Sequence, residues 1–329
     1  MRILLWHVHG SWTTAFVQGS HEYIVPVLPD RGPDGVGRAR TWNWPASVTE
    51  LTPAELRRTD LDLVILQRPS EISLVRDWLG RAAGVDIPAI YLEHNTPEQS
   101  PCLQRHVVAD RRDITIAHVT HFNELFWDNG SAPTTVIEHG IIDPGARYTG
   151  ELDHGAVAIN EPGRRGRTVG ADLLPRLAEA GPIDLFGMQA DAFVRELDGQ
   201  SKQRIHGYED LATQDDMHTE LARRRVYLHP MRWTSLGLSL IEAMQLAMPV
   251  IVVASTEAFE AVPPGAGVIS TDVDRLVDGF RTFRNDPEAA RACGLVAREA
   301  ALLRYGLKRF LRDWDQLIHR TVDERGGNR

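Results

Sequence analysis

Short apolar runs of strand length recur along this chain with helical patterns between them, and the rhythm plays out twice. In the first half the runs are ILLWHV (3–8), YIVPVL (23–28), LDLVIL (61–66), PAIYLE (88–93), ITIAHV (114–119) and TTVIE (134–138). Helical stretches such as LVRDWLGRAA and THFNELFWDNG lie between several of them. The alternation restarts at GAVAIN (155–160) and continues through IDLFG (183–187), VYLHP (226–230) and PVIVVAS (249–255). Apolar strands that alternate with helices predict parallel sheets covered on both faces. EHGIIDPGARYTGELDHG is rich in Gly, Pro and Asp, which places a linker near residues 143–154. The expected architecture is therefore α/β, with two doubly wound domains facing a central cleft and ligands at the carboxyl ends of the strands. The expected division is 1–150, 151–310, and an amphipathic C-terminal helix at 311–329 that packs back on the N-terminal domain.

Composition narrows the function. The chain has 329 residues, enough for two cores, and a formal charge of 36 − 45 = −9, so no bulk basic field collects nucleic acid. No apolar run approaches the ~20 residues that cross a bilayer. MRILLWHVHG is too short in apolar residues for a signal peptide. Cys102 and Cys293 stand far apart, with neither a disulfide framework nor a thiolate zinc site, which fits a reducing cytoplasm. Lys202 and Lys308 are the only lysines. A phosphate-binding cation in this chain is therefore expected to be an arginine.

One glutamate interrupts an otherwise nearly uncharged stretch, WTSLGLSLIEAMQLAMPVIV, from Trp233 to Val252. Its pattern predicts a Ser/Thr/Gly turn, a helix of about ten residues and a buried strand after Pro249. Leu236, Leu240, Ala243, Met244 and Ala247 form one core-facing stripe, and Glu242 falls on another face with Ser235, Leu238, Ser239 and Gln245. On spacing alone Glu242 is either a helix-surface glutamate or a ligand residue near a helix N-terminus.

The segment PMRWTSLGLSLIEAMQLAMPVIV resembles the donor-site segment of retaining glycosyltransferases of the GT-B fold, in particular glycosyltransferase family 4. Gly237, Leu238, Glu242, Ala243, Met244, Pro249, Val250 and Ile251 match, and a looser likeness runs along the chain. The resemblance implies two Rossmann-like domains, an acceptor side in the first and a nucleotide-sugar donor side in the second. It implies that the Glu242 carboxylate accepts hydrogen bonds from ribose hydroxyls. The glutamate that the family places eight residues earlier is Thr234 here, and the backbone of Ser235, Leu236, Gly237 and Leu238 is implied to approach sugar or phosphate. In NEPGRRGRTVGADLL, Arg164 matches the family's diphosphate-binding arginine and Gly170 its glycine, while the lysine position is Val169. Arg165 and Arg167 are the substitutes at hand, because guanidinium groups bind phosphate bidentately. The resemblance puts His94, after YLE, beside the transferred sugar, Gly10 in the loop after the first strand near the donor phosphates, and Gly140 at the end of the first domain. The role of His139 stays open.

The implied catalytic residues are His94, Arg164 and Glu242. The implied reaction is hexosyltransferase-like, with retained anomeric configuration, front-face attack and no required metal or cofactor. Its donor is a nucleotide-diphosphate sugar, and its acceptor a small molecule or glycan read by first-domain loops carrying Trp12, Trp42 and Trp44. The protein is expected to be bacterial and cytoplasmic, with no nucleic-acid partner; peripheral membrane contact stays open. Two other readings compete. His7 and His9 in WHVHG would point the same way on a strand, as in metal-dependent amidohydrolases, with His94, His118, His121 and His229 as further ligands. Thr234 and Val169 favour a non-catalytic nucleotide-sugar-binding protein.

Overall fold

The computed structural model describes residues 1–209 and 211–326. They form two compact units: Met1–Ile141 together with the helix Leu307–Gly326, and Ile142–Gly306. The first unit is built on seven parallel strands: β1 (Arg2–Leu5), β2 (Glu22–Pro26), β3 (Val48–Leu51), β4 (Leu63–Leu66), β5 (Ala89–Glu93), β6 (Thr115–His118) and β7 (Thr134–Val136). Their order is β3-β2-β1-β4-β5-β6-β7. The second unit has six: β8 (Leu152–Ala158), β9 (Ile183–Phe186), β10 (Ile205–Tyr208), β11 (Arg224–His229), β12 (Val250–Val253) and β13 (Gly267–Ser270). Their order, β10-β9-β8-β11-β12-β13, repeats the first. Each sheet thus has a switch point where strand order reverses, between β1 and β4 and between β8 and β11.

The doubly wound expectation holds in both halves, and the strands it lacks have a common cause. β3, β10 and β13 all lie at sheet edges and are only partly buried. An edge strand needs no continuous apolar run, so VTEL, IHGY and GVIS carry little strand signal. Central strands show the opposite pattern: every residue of β4 (LVIL) and β9 (IDLF) is buried. Asp184 can stand inside β9 because Arg224 Nε lies 2.6 Å from its carboxylate and His154 Nδ1 3.1 Å. A buried carboxylate without such partners would be strongly destabilising.

The stretch at 143–154 is not a free linker. Tyr148 donates its hydroxyl to the Arg225 carbonyl at 2.7 Å and its amide to the Leu246 carbonyl at 3.0 Å, and Thr149 N–H reaches the Ala222 carbonyl at 2.9 Å. By Leu152 the chain has already entered β8.

In the first unit the helix Leu307–Gly326 buries Phe310, Trp314, Leu317 and Ile318. Trp314 meets Trp12 edge-on at 5.5 Å and Phe16 at 5.1 Å. Burying an aromatic side chain this fully contributes about 3 kcal/mol. Trp12 and Trp44 are accordingly core residues, and Trp44 also donates its indole N–H to Thr14 Oγ1 at 2.8 Å. Among the described residues no helix is long and apolar enough to cross a membrane.

Candidate functional site

In the second unit the loops that leave β8 and β11 meet at the switch point. Arg232 and Trp233 N–H both donate to the Thr168 carbonyl, at 3.0 and 3.1 Å. Gly170 adopts a left-handed φ of +71°, and a Cβ there would run into the Pro230 carbonyl, so only glycine lets the two backbones touch. Val169 points the other way and is fully buried in the core. No cation stands at that position because it belongs to the packing of the sheet.

The three arginines of this loop have different surroundings. Arg164 is exposed and engaged with Glu161, which lowers the Glu161 pKa. Arg167 is exposed and pairs at 2.9 Å with Asp172, a carboxylate that Arg232 also holds, at 3.0 Å. Arg165 is half-buried, and its guanidinium has no ion-pair or hydrogen-bond partner among the described residues. Burial, reinforced by the neighbouring Arg164 charge, lowers its pKa from the usual arginine range. An anion beside it would reverse both effects.

After β11 the chain turns through Pro230–Gly237 into the helix Leu238–Gln245. Gly237 precedes that helix and packs on the His229 ring, where a Cβ would collide. His229 is buried, its Nδ1 has no hydrogen-bond partner among the described residues, and burial lowers its pKa to about 4. Thr234 Oγ1 lies 3.4 Å from Met231 Sδ, and Ser235 and Leu236 are buried.

Glu242 corrects the expectation of a face apart from the core. It is 3% exposed, and the helix from Leu240 to Gln245 is buried all round. Helix Gln214–Arg223 packs against it on one side and helix Pro287–Tyr305 on another. The Glu242 carboxylate accepts a hydrogen bond from Gln214 Nε2 at 2.9 Å, with His218 Nε2 3.4 Å away. Sequence reading missed both partners. Their signal was an i, i+4 pair behind a Thr213–Asp216 capping box, with no indication of which helix it would face.

In the first unit the carboxyl ends of the strands carry histidines. His9 follows β1, Gln67 follows β4 and His94 follows β5. His94 Nε2 lies 3.2 Å from Gln67 Oε1, and its ring centre is 3.9 Å from His9 and 6.3 Å from His139. Burial lowers the pKa of all three: His9 to about 4, His139 to about 3, and His94 well below the ordinary histidine value. Gly10 opens the helix Gly10–Phe16 and lies against Trp42, while Gly140 packs on Phe310, where a Cβ would collide.

The expected strand pair of His7 and His9 is corrected, because β1 ends at Leu5 and both histidines stand in the following loop. His7 turns to the Gly37 carbonyl at 3.1 Å, His121 is exposed, and His118 bonds Asn129 at 3.0 Å. Among the described residues no three His, Cys, Asp or Glu side chains come together as a metal-binding group.

Comparison with known proteins adds a family match over part of the chain, and a fold. Residues 189–300 match the family described as glycosyl transferases group 1. Sucrose-phosphate synthase from Thermosynechococcus elongatus superposes with a TM-score of 0.72 at 14% identity, over 98% of this chain and 100% of that one. HepE from Anabaena, in complex with UDP and glucose, gives 0.71 at 14% identity, over 97% and 99%.

The fold is GT-B.

A TarM variant from S. aureus, in complex with fondaparinux, α-GlcNAc-glycerol and UDP, gives a TM-score of 0.63 at 14% identity over 78% of this chain. This GT-B chain spans only 55% of TarM. Among curated proteins no sequence matches. The matched segment runs from the end of β9 into helix Pro287–Tyr305 and includes Gln214, His218, Gly237 and Glu242. Together, that segment and the GT-B fold support a glycosyltransferase enzyme.

Proposed function

We propose that this chain is a retaining, metal-independent glycosyltransferase whose second unit holds a nucleoside-diphosphate sugar. The observation that carries the reading is the switch-point loop pair, which is locked through Thr168 and Gly170 and presents the unpaired Arg165. Arg165 is the diphosphate cation in this reading, and Arg164, already engaged with Glu161, contributes the weaker long-range field. Amides at the start of helix Leu238–Gln245 add donors for phosphate or sugar. The Glu242 carboxylate takes the ribose hydroxyls.

In the transfer the bond from the sugar's anomeric carbon to the diphosphate oxygen breaks. The acceptor oxygen bonds that carbon on the same face, and its proton passes to the departing phosphate. The chain's part is positioning and charge stabilisation. His94, fixed by Gln67, is the first unit's candidate for orienting the sugar. The assignment to family 4, retention, a bacterial source and a cytoplasmic location belong to the same proposal. The free cysteines Cys102 and Cys293 support the location. Buried Val169 and uncharged Thr234 favour a second reading, binding of a nucleotide sugar without transfer.

Donor turnover in the presence of EDTA tests the choice. One nucleotide sugar should be consumed by the wild type. Arg165→Ala should lower kcat/KM by about a hundredfold, the loss of a strong charge-assisted contact of about 3 kcal/mol. Arg164→Ala should stay within about threefold. Diphosphate binding with no donor consumed would favour the second reading, and equal losses in the two variants would remove Arg165 from its role.

A further inference from the structure

We propose that Gln214 is a latch on Glu242: its side-chain amide takes the hydrogen-bonding position that a ribose hydroxyl needs, and His218 holds it there. The inference rests on the nucleotide reading of the second unit.

The geometry is a three-body arrangement. One amide nitrogen, Gln214 Nε2, lies 2.9 Å from Glu242 Oε2 and 3.1 Å from His218 Nε2. An amide nitrogen carries two hydrogens, so it can donate to both partners at once. This requires a lone pair on His218 Nε2, with the ring proton on Nδ1. The 3.4 Å separation of His218 Nε2 from Glu242 Oε2 is then a contact between two acceptors, which the amide bridges. Turning the Gln214 amide over would set its oxygen against the carboxylate, so the hydrogen-bond network fixes its orientation.

Burial gives the latch its direction. Glu242 is 3% exposed and His218 is 8% exposed, whereas Gln214 is only half-buried at the first position of its helix. Gln214 is therefore the outermost member and the one able to swing away. When it leaves, His218 can move its proton to Nε2 and donate to Glu242 itself. The carboxylate then keeps a donor while the ribose hydroxyls take the place of the amide.

Titration calorimetry with UDP and with 2′,3′-dideoxyuridine diphosphate, which lacks the ribose hydroxyls, tests the latch. Gln214→Ala should bind UDP about tenfold more tightly than wild type, the worth of one hydrogen bond to a charged group, and leave the dideoxy compound unchanged. His218→Phe keeps Gln214 but removes its second anchor, and should tighten UDP about threefold. This variant covers the case in which Gln214→Ala perturbs the helix start. UDP binding no tighter in either variant, with Glu242→Ala still weakening it, would overturn the latch and leave the ribose reading standing. Equal gains for both diphosphates would also overturn it, since a general loosening would act on both. If Glu242→Ala leaves UDP affinity unchanged, the ribose reading fails and the latch fails with it.

Discussion

Lowering the pH from 7.5 to 5 should bring the first unit close to unfolding. His94, His118 and His139 are buried there and His9 is half-buried, and desolvation is the leading cause of each depressed pKa, to about 4 for His9 and His118 and about 3 for His139. A histidine held neutral in the folded state but free to protonate near pH 6.5 when unfolded makes the unfolded state the stronger proton binder between those values. Stability therefore rises with pH across that window, and it is lost as pH falls from about 6.5 toward 4. At pH 5 each such group costs about 2 kcal/mol. Four of them together approach the 5–15 kcal/mol by which a typical domain is stable. Seven of the eight tryptophans lie in the first unit and only Trp233 in Ile142–Gly306, so tryptophan fluorescence in urea reads the right unit. The midpoint should fall steeply between pH 6.5 and 5. An unchanged midpoint would mean that these histidines are not held neutral.

Gly170→Ala should be the most damaging single methyl group in the second unit. The residue sits at φ +71°, where an L side chain costs about 1–2 kcal/mol, and its Cβ would meet the backbone carbonyl of Pro230. A backbone carbonyl cannot swing aside as a flexible side chain can, so overpacking adds about 2 kcal/mol more. The same displacement would pull the Arg165 loop from the turn before helix Leu238–Gln245, so diphosphate binding should fall with stability. Gly163, whose Cβ would meet nothing within 4 Å, is the internal control, and Gly163→Ala should leave both unchanged. A Gly170→Ala protein as stable as wild type would contradict the close contact of the two loops.

The alternation of strands and helices was legible in the sequence because central strands such as β4 are apolar on both faces, and β9 departs from that only at Asp184. Edge strands β3 and β13 were not, since solvent on one side removes the pattern that betrays a strand. Within the candidate site, Gly237 and Glu242 could be singled out because they stand in a compact motif close in sequence. The surroundings of Glu242 could not. Its burial comes from helices that begin at Gln214 and Pro287, and a helical wheel describes one helix without its neighbours. The same limit hid the difference among Arg164, Arg165 and Arg167, because adjacent guanidiniums are equivalent until Glu161 and Asp172 each claim one. WHVHG suggested two strand histidines, but Gly37 and His94, distant in sequence, decide where their rings go.

The measurement that bears most directly on a nucleotide site in the second unit is a thermal-shift panel. UDP, GDP, ADP and dTDP would be compared with and without EDTA, on wild type and Glu242→Ala. A ligand at ~100 times its dissociation constant stabilises the fold by about 2.7 kcal/mol, a readable shift. One diphosphate should stabilise the wild type, equally well in EDTA, and Glu242→Ala should lose most of that gain. Stabilisation by none of the four, or the same stabilisation in wild type and Glu242→Ala, would contradict the proposed nucleotide site.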